Sequence, residues 1–198
     1  MKKLTILAVM LMVSAAAFAQ TNFKFGVTGG MNLSKVHIPN WNVNSDNKVG
    51  WSAGIIGELS FANNIYTNMS VLYSSKGYKY GYDDEYGDDK NTYNYVEAPI
   101  HIGYKYPVAD KISILGEVGP TFGFLVSAKG VEEGYKWSGT EDFNKFNFGL
   151  GFKVGAEFIN RIRLTIGYDW GLSNNYKDVD DWGKERNRNF SVGMVIFF

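Results

Sequence analysis

Two imidazoles, His37 and His101, are the only side chains in this 198-residue sequence whose ordinary titration suits proton transfer near neutral pH. There is no cysteine, which removes disulfides, thiolate metal sites and thiol nucleophiles together. His37 falls in a long connecting segment, and His101 in the middle of an alternating segment, on the polar face it shares with Glu97. A Ser–His–acid relay can be drawn around His101 with serines of neighbouring segments, but no spacing fixes a nucleophile. A histidine held by buried polar partners is the simpler expectation. Carboxylates gather in three further connections: Asp83, Asp84, Glu85, Asp88 and Asp89; Glu132 and Glu133; Asp178, Asp180 and Asp181. Such oxygen-rich clusters can hold Ca²⁺ or Mg²⁺, but none matches an EF-hand-like loop, and solvated acidic loops are expected. The sequence implies no cofactor and no metal site.

The remaining charges lie on regular elements. Period-2 alternation marks eight segments: 22–36, 49–62, 65–81, 92–106, 112–129, 143–158, 162–176 and 189–198. In the sixth, Phe146, Phe148, Leu150, Phe152, Val154, Ala156 and Phe158 alternate with Asn147, Gly149, Gly151, Lys153, Gly155 and Glu157. In the seventh, Ile162, Leu164, Ile166, Tyr168 and Trp170 alternate with Arg163, Thr165, Gly167 and Asp169. The apolar face would point inward in a soluble barrel, and the solvated face would then be dense in Lys and Glu. Here the polar face is mostly Gly, Ser, Thr and Asn, and most of the 23 glycines fall on it. Deleted side chains suit a concave, crowded surface, so the polar face is assigned inward and the apolar face to lipid. Eight strands leave a lumen just wide enough for side chains to fill. The fold class expected is therefore all-β: an eight-stranded antiparallel up-and-down transmembrane barrel.

On that parity Lys24, Lys76, Lys105, Lys153 and Arg163 face Glu58, Glu97, Glu117, Glu157 and Asp169 inside the barrel. Buried charges persist when paired, so this balance reads as a structural network. Lys24, Glu58, Lys105, Glu157 and Arg163 group near the periplasmic end, and Glu117, Lys153, Asp169 and His101 near mid-height. Ile56, Leu72, Leu115, Leu125, Val195 and Phe197 share the lumen and would obstruct water, which opposes the alternative of a narrow pore. Pro99 and Pro120 lie within strands, and a bulge or register irregularity is predicted near each.

Connections alternate short (62–64, 107–111, 159–161) and long (37–48, 82–91, 130–142, 177–188), as periplasmic turns and outer loops do. An even strand number then places both termini in the periplasm. Tyr78, Tyr80, Tyr82, Tyr93 and Tyr95 are assigned to an outer aromatic girdle, and Phe61, Tyr104, Tyr106, Phe158, Phe197 and Phe198 to the inner one. A sugar-binding platform is the sharper alternative for the outer tyrosines.

Residues 1–19 read as an export signal: Lys2 and Lys3, then an apolar run from Leu4 to Val13, then Ala17-Phe18-Ala19 for cleavage. The domain is then 20–198. Without Lys2 and Lys3 the chain carries 18 Lys plus Arg against 20 acidic residues, no footprint for nucleic acid. Together with the alternating, aromatic-ended stretch Asn189–Phe198, this places the expected barrel in the outer membrane of a Gram-negative cell, among its lipids and lipopolysaccharide.

Several motifs, in order, resemble the small PorT-like outer-membrane β-barrel proteins: Phe25-Gly-Val-Thr-Gly-Gly-Met-Asn-Leu-Ser34, Leu72-Tyr-Ser-Ser-Lys-Gly77, Val96-Glu-Ala-Pro-Ile100 and Tyr168-Asp-Trp-Gly-Leu-Ser-Asn174. The resemblance covers nearly all of 20–198 and accounts for Pro99, which falls in the family's Glu-x-Pro pattern. It implies a membrane-embedded barrel and carries over no catalytic residue. Phe190, Val192, Met194, Ile196 and Phe198 look like the terminal signal read by the barrel-assembly machinery. The expected role is structural or interactive, exercised through the outer loops toward an unidentified protein partner. Competing readings are a lipid- or peptide-modifying enzyme centred on His101 or His37, the narrow pore, and a soluble lipocalin-like carrier with its apolar faces inward.

Overall fold

A computed structural model of the chain describes residues 22–37, 46–61, 64–80, 89–132, 135–141, 143–176 and 186–198. Within them the chain forms β1 (Asn22–His37), β2 (Asp46–Ser60), β3 (Ile65–Tyr80), β4 (Asp89–Ala109) and β5 (Ile112–Glu132). β6 (Tyr135–Ser138), β7 (Phe146–Phe158), β8 (Ile162–Gly171) and β9 (Arg186–Phe197) follow. Every strand pairing is antiparallel; consecutive strands pair, β5 pairs with β7 as well as with β6, and β1 pairs with β9 to close the ring. Eight strands make the barrel. The four residues of β6 pair only with the end of β5, beyond the point where β7 leaves it. Two of the short connections use left-handed backbone at non-glycine residues, Asn64 (φ 66°) and Ile159–Asn160 (φ 48° and 56°). Asn tolerates this region, whereas the branched Ile159 is strained by it.

The inside-out assignment is what the burial pattern shows. Leu150, Phe152, Ile166, Trp170 and Met194 are 42–50% exposed on the outer face, while Glu58, Arg163 and Glu157 are 0–2% exposed within. This excludes the inward-facing apolar nucleus that a lipocalin-like carrier requires. The interior also approaches backbone closely: a Cβ on Gly103 would run into the ring of Tyr66.

The two prolines do not produce the expected local bulges. Each keeps its pairing on one side, Pro99 with Thr121 and Pro120 with Leu150, and interrupts it on the other. The ladder skips Ser70 and Val71 opposite Ala98 and Pro99, and Ile100 and His101 opposite Gly119 and Pro120, without losing register. In an antiparallel strand the N–H and C=O of one residue face the same neighbour, so a missing N–H costs contact with one strand only. The register shifts lie elsewhere, at Asn94/Tyr95, Pro107/Ala109 and Asn47/Trp51.

Candidate functional site: a filled lumen

Cross-strand register sets complementary charges face to face. Lys24 on β1 opposes Glu58 on β2, Glu117 on β5 opposes Lys153 on β7, and Glu157 on β7 opposes Arg163 on β8. Near the end that carries the short turns, Arg163 bonds Glu58 and contacts Glu157 at 2.5 Å. Lys105 lies 2.5 Å from Glu58 and 3.0 Å from Glu157, and Lys24 reaches Glu157 at 3.4 Å. The guanidinium also lies over two rings, 5.0 Å from the Tyr66 centroid and 4.9 Å from that of Phe197. A planar guanidinium can hydrogen-bond carboxylates and meet aromatic rings at the same time.

One layer further in, Glu117 is the hub. It accepts from Tyr66 Oη (2.8 Å) and Asn68 Nδ2 (2.7 Å) and pairs with His101 Nδ1 at 3.2 Å. Lys153 and Arg163 stand 3.7 Å away. His101 therefore faces Glu117, and its Nε2 has no hydrogen-bond partner among the described residues. A catalytic imidazole would need a nucleophile at that nitrogen. A Cβ added to Gly151 would lie 2.9 Å from it, so the ring is packed against backbone at that point.

Above this hub, Lys76 pairs with Glu97 at 2.5 Å. Asp169 stands apart from the ion pairs and accepts from Asn189 (3.3 Å) and Thr121 (3.5 Å), while Asn189 in turn accepts from Ser34 at 2.7 Å. A polar cavity of about 60 Å³ lies between Glu97, Lys153 and Asp169, lined by Thr28, Ser74 and Ser191. At the opposite end the lumen changes character. Tyr78, Tyr93 and Tyr95 are 2–3% exposed and pack with Val36, Leu125 and Phe143. Phe143 holds rings of Tyr176, Tyr93 and Trp137 at 4.8, 5.3 and 5.6 Å.

Three of the tyrosines assigned to an outer girdle thus belong inside. Tyr78, Tyr93 and Tyr95 plug the barrel because alternation turns them to the lumen, where an aromatic ring fills volume that the glycines elsewhere leave to backbone. Phe197 is likewise buried at 2%, while Tyr104, Tyr106 and Phe198 are exposed at 48, 57 and 75%. Sequence reasoning missed Tyr66 and Asn68, which carry no charge and so drew no attention as partners. Their inward parity beside Glu58 and Glu117 was the available signal. It also missed β6, too short to show alternation. His37 closes β1 opposite Arg186. Residues 1–21, Tyr82, Asp83, Asp84, Glu85, Asp88, Glu133, Asp178, Asp180 and Asp181 lie outside the described residues. Among the described residues no cluster of His and carboxylates fit to hold a metal ion occurs.

Phe190, Val192, Met194 and Ile196 are all 38–51% exposed on the outer face of β9. Phe198 donates its backbone N–H to Phe25 O at 2.8 Å. The carboxy-terminal strand is therefore a full member of the ring, completing it against β1.

No curated protein matches the chain in sequence. Among solved structures, Neisserial surface protein A matches with a TM-score of 0.52 at 15% identity, over 88% of this chain and 97% of that one. The attachment invasion locus protein Ail of Yersinia pestis, solved with a heparin analogue, matches with a TM-score of 0.48 at 14% identity, over 89% of this chain and 99% of that one. At 15% identity the likeness to Neisserial surface protein A is one of fold alone. Residues 18–177 match the family described as outer membrane protein beta-barrel domain. With a lipid-type exterior, a ring closed by its last strand and a lumen filled by its own side chains, the chain belongs to that family of the cell outer membrane.

Proposed function

We propose that this protein is a non-conducting, non-enzymatic barrel of the PorT-like kind, serving a structural or interaction role through the loops at the end opposite its termini. One observation carries this reading. The lumen is filled at both ends, by the Arg163 network and by the Phe143 aromatic cluster, with a cavity of about 60 Å³ between them. A water needs roughly 10–15 Å³ of such space, so this cavity holds a few waters, and the packed side chains at both ends keep them from joining into a column across the barrel. Against catalysis stands His101, whose free nitrogen meets no nucleophile among the described residues.

In this reading residues 1–19 are a cleaved signal, both termini and the short turns face the periplasm, and the acidic loops face outward among lipopolysaccharide. The exposed stripe Phe190, Val192, Met194, Ile196 and Phe198 serves as the assembly-machinery signal. An unidentified protein partner meets the loops. Planar-bilayer recording of the pure refolded protein tests the central point: no reproducible single-channel steps are expected, and stable steps would defeat the filled-lumen reading.

A further inference from the structure

At the end that carries the short turns, the barrel mouth is hollow. Beyond the Arg163 layer a cavity of about 500 Å³ opens between the ends of β1 to β5 and of β7. The charges that line it are Lys24, Lys105 and Lys111 against Glu157 and Asp110. Directly beneath, Arg163 is offset by Glu58. Four cations thus face three carboxylates, and one positive charge is left over. Arg161 and the terminal carboxylate of Phe198, one of each sign, stand outside the lining. The sequence adjoining the cavity beyond the described residues, 1–21 and 62–63, contains no Asp or Glu to offset the surplus.

The surplus sits on Lys24. Arg163 holds Glu157 Oε2 and Lys105 holds Oε1 at 3.1 Å, so Lys24 comes third to the same carboxylate, at 3.4 Å, with Asn160 O at 3.3 Å as its other acceptor. An ammonium carries three donors, and two contacts this long leave it able to make a shorter one from the cavity side. Lys24 and Lys105 both border the cavity with part of their side chains exposed, 19% and 13%. A cleft of one net sign between low-dielectric walls concentrates its field on whatever enters. The wall formed by the ends of β2 to β5 carries Phe61, Ile65, Pro107 and Ile112, so an entering molecule also meets apolar surface.

Charge and shape together select the ligand class. The volume lies within the range of about 300–1,000 Å³ typical of small-molecule sites, which are apolar with a few placed polar groups. A single surplus charge matches a carboxylate, whereas a phosphate ester, at about −1.5 to −2 near neutral pH, exceeds it. A bare inorganic anion would leave the apolar wall unused. We propose that the cavity binds a small carboxylic acid, its carboxylate held by Lys24 and Lys105 and its apolar body laid on Ile65 and Ile112. The barrel then has a ligand site at the end opposite its loops, independent of the interaction role proposed above.

The test uses the full chain refolded in zwitterionic detergent micelles and titrated calorimetrically with phenylpropionate, with empty micelles as the blank. Saturable one-to-one binding is expected, and added salt should weaken it because the lysines are partly exposed. Phenylpropanol, which lacks the charge, and acetate, which lacks the apolar body, should each bind at least about tenfold more weakly. Lys24→Gln removes one charge-assisted hydrogen bond and should cost roughly tenfold in affinity, while Lys24→Arg keeps most of it. Ile112→Ser should also weaken phenylpropionate. Lys35→Gln, at the loop end of the same strand as Lys24, should bind as the wild type does. No saturable uptake by heat-modifiable wild type, equal affinity for acid and alcohol, or equal affinity in wild type and Lys24→Gln would overturn the proposal. A clear preference for phenyl phosphate would overturn the choice of a carboxylate. The ligand series on the wild type decides the matter even if a variant assembles poorly.

Discussion

The two ends of the lumen solve one problem with opposite chemistry. At the turn end, Arg163, Lys105 and Lys24 neutralise Glu58 and Glu157 in a space walled by Tyr66 and Phe197. At the loop end, Phe143, Tyr93, Trp137 and Tyr176 fill the same bore with stacked rings. Ion pairs inside a barrel are stable only as a complete set, because each charge is desolvated and one missing partner strands the others. Rings have no such obligation, and removing one leaves a void whose cost depends on how well the site relaxes. The turn end is therefore the brittle half and the loop end the tolerant one. The strained connection Ile159–Asn160 and the tethered terminus, Phe197 N–H to Arg161 O at 2.7 Å, belong to the brittle half as well.

The largest effect should come from Arg163→Ala, which leaves Glu58, Glu157 and Glu117 short of their shared cation. We expect a loss of about 3–5 kcal/mol in denaturant unfolding from bilayers. Combining Arg163→Met with Glu58→Gln should lose less than the sum of the two single changes, since the pair is coupled. An additive result would mean that the network is not one unit. Phe143→Ala should cost about 3 kcal/mol through the cavity it opens, with little dependence on ionic strength. If it proves the more damaging of the two ends, the comparison is inverted. Lys24→Gln should be the mildest, about 1 kcal/mol or less, because its side chain is 19% exposed and Lys105 also pairs with Glu157. A loss approaching that of Arg163→Ala would show that the rim charge is as buried in practice as the central one.

Alternation alone carried the barrel, because a period of two separates lipid and lumen wherever the two faces differ in residue type. In β7 and β8 nearly every position reads correctly from Gly149, Gly151, Lys153 and Glu157 against Leu150, Phe152 and Ile166. Parity also placed Lys24, Glu58, Lys105, Glu157 and Arg163 on the inner face, and the ladder register then decides which of them meet. Alternation also turns Tyr78, Tyr93 and Tyr95 inward, Tyr78 with Lys76 and Tyr93 and Tyr95 with Glu97, but it could not show that the ring around Phe143 makes them a plug rather than a headgroup belt. Nor could it give the prolines their consequence. Whether Pro99 and Pro120 break register depends on which neighbour each missing N–H would have met, a fact of pairing rather than of local sequence.

The whole account depends on which face of the strands meets acyl chains. The sequence has no cysteine, so single cysteines can be introduced from Phe146 to Phe158 of β7, spin-labelled and measured in bilayers for oxygen accessibility. The account predicts a period-two profile with maxima at Phe148, Leu150, Phe152 and Val154 and minima at Gly149, Gly151, Lys153 and Gly155. Maxima at the glycine and lysine positions, or a flat profile along β7, would contradict it.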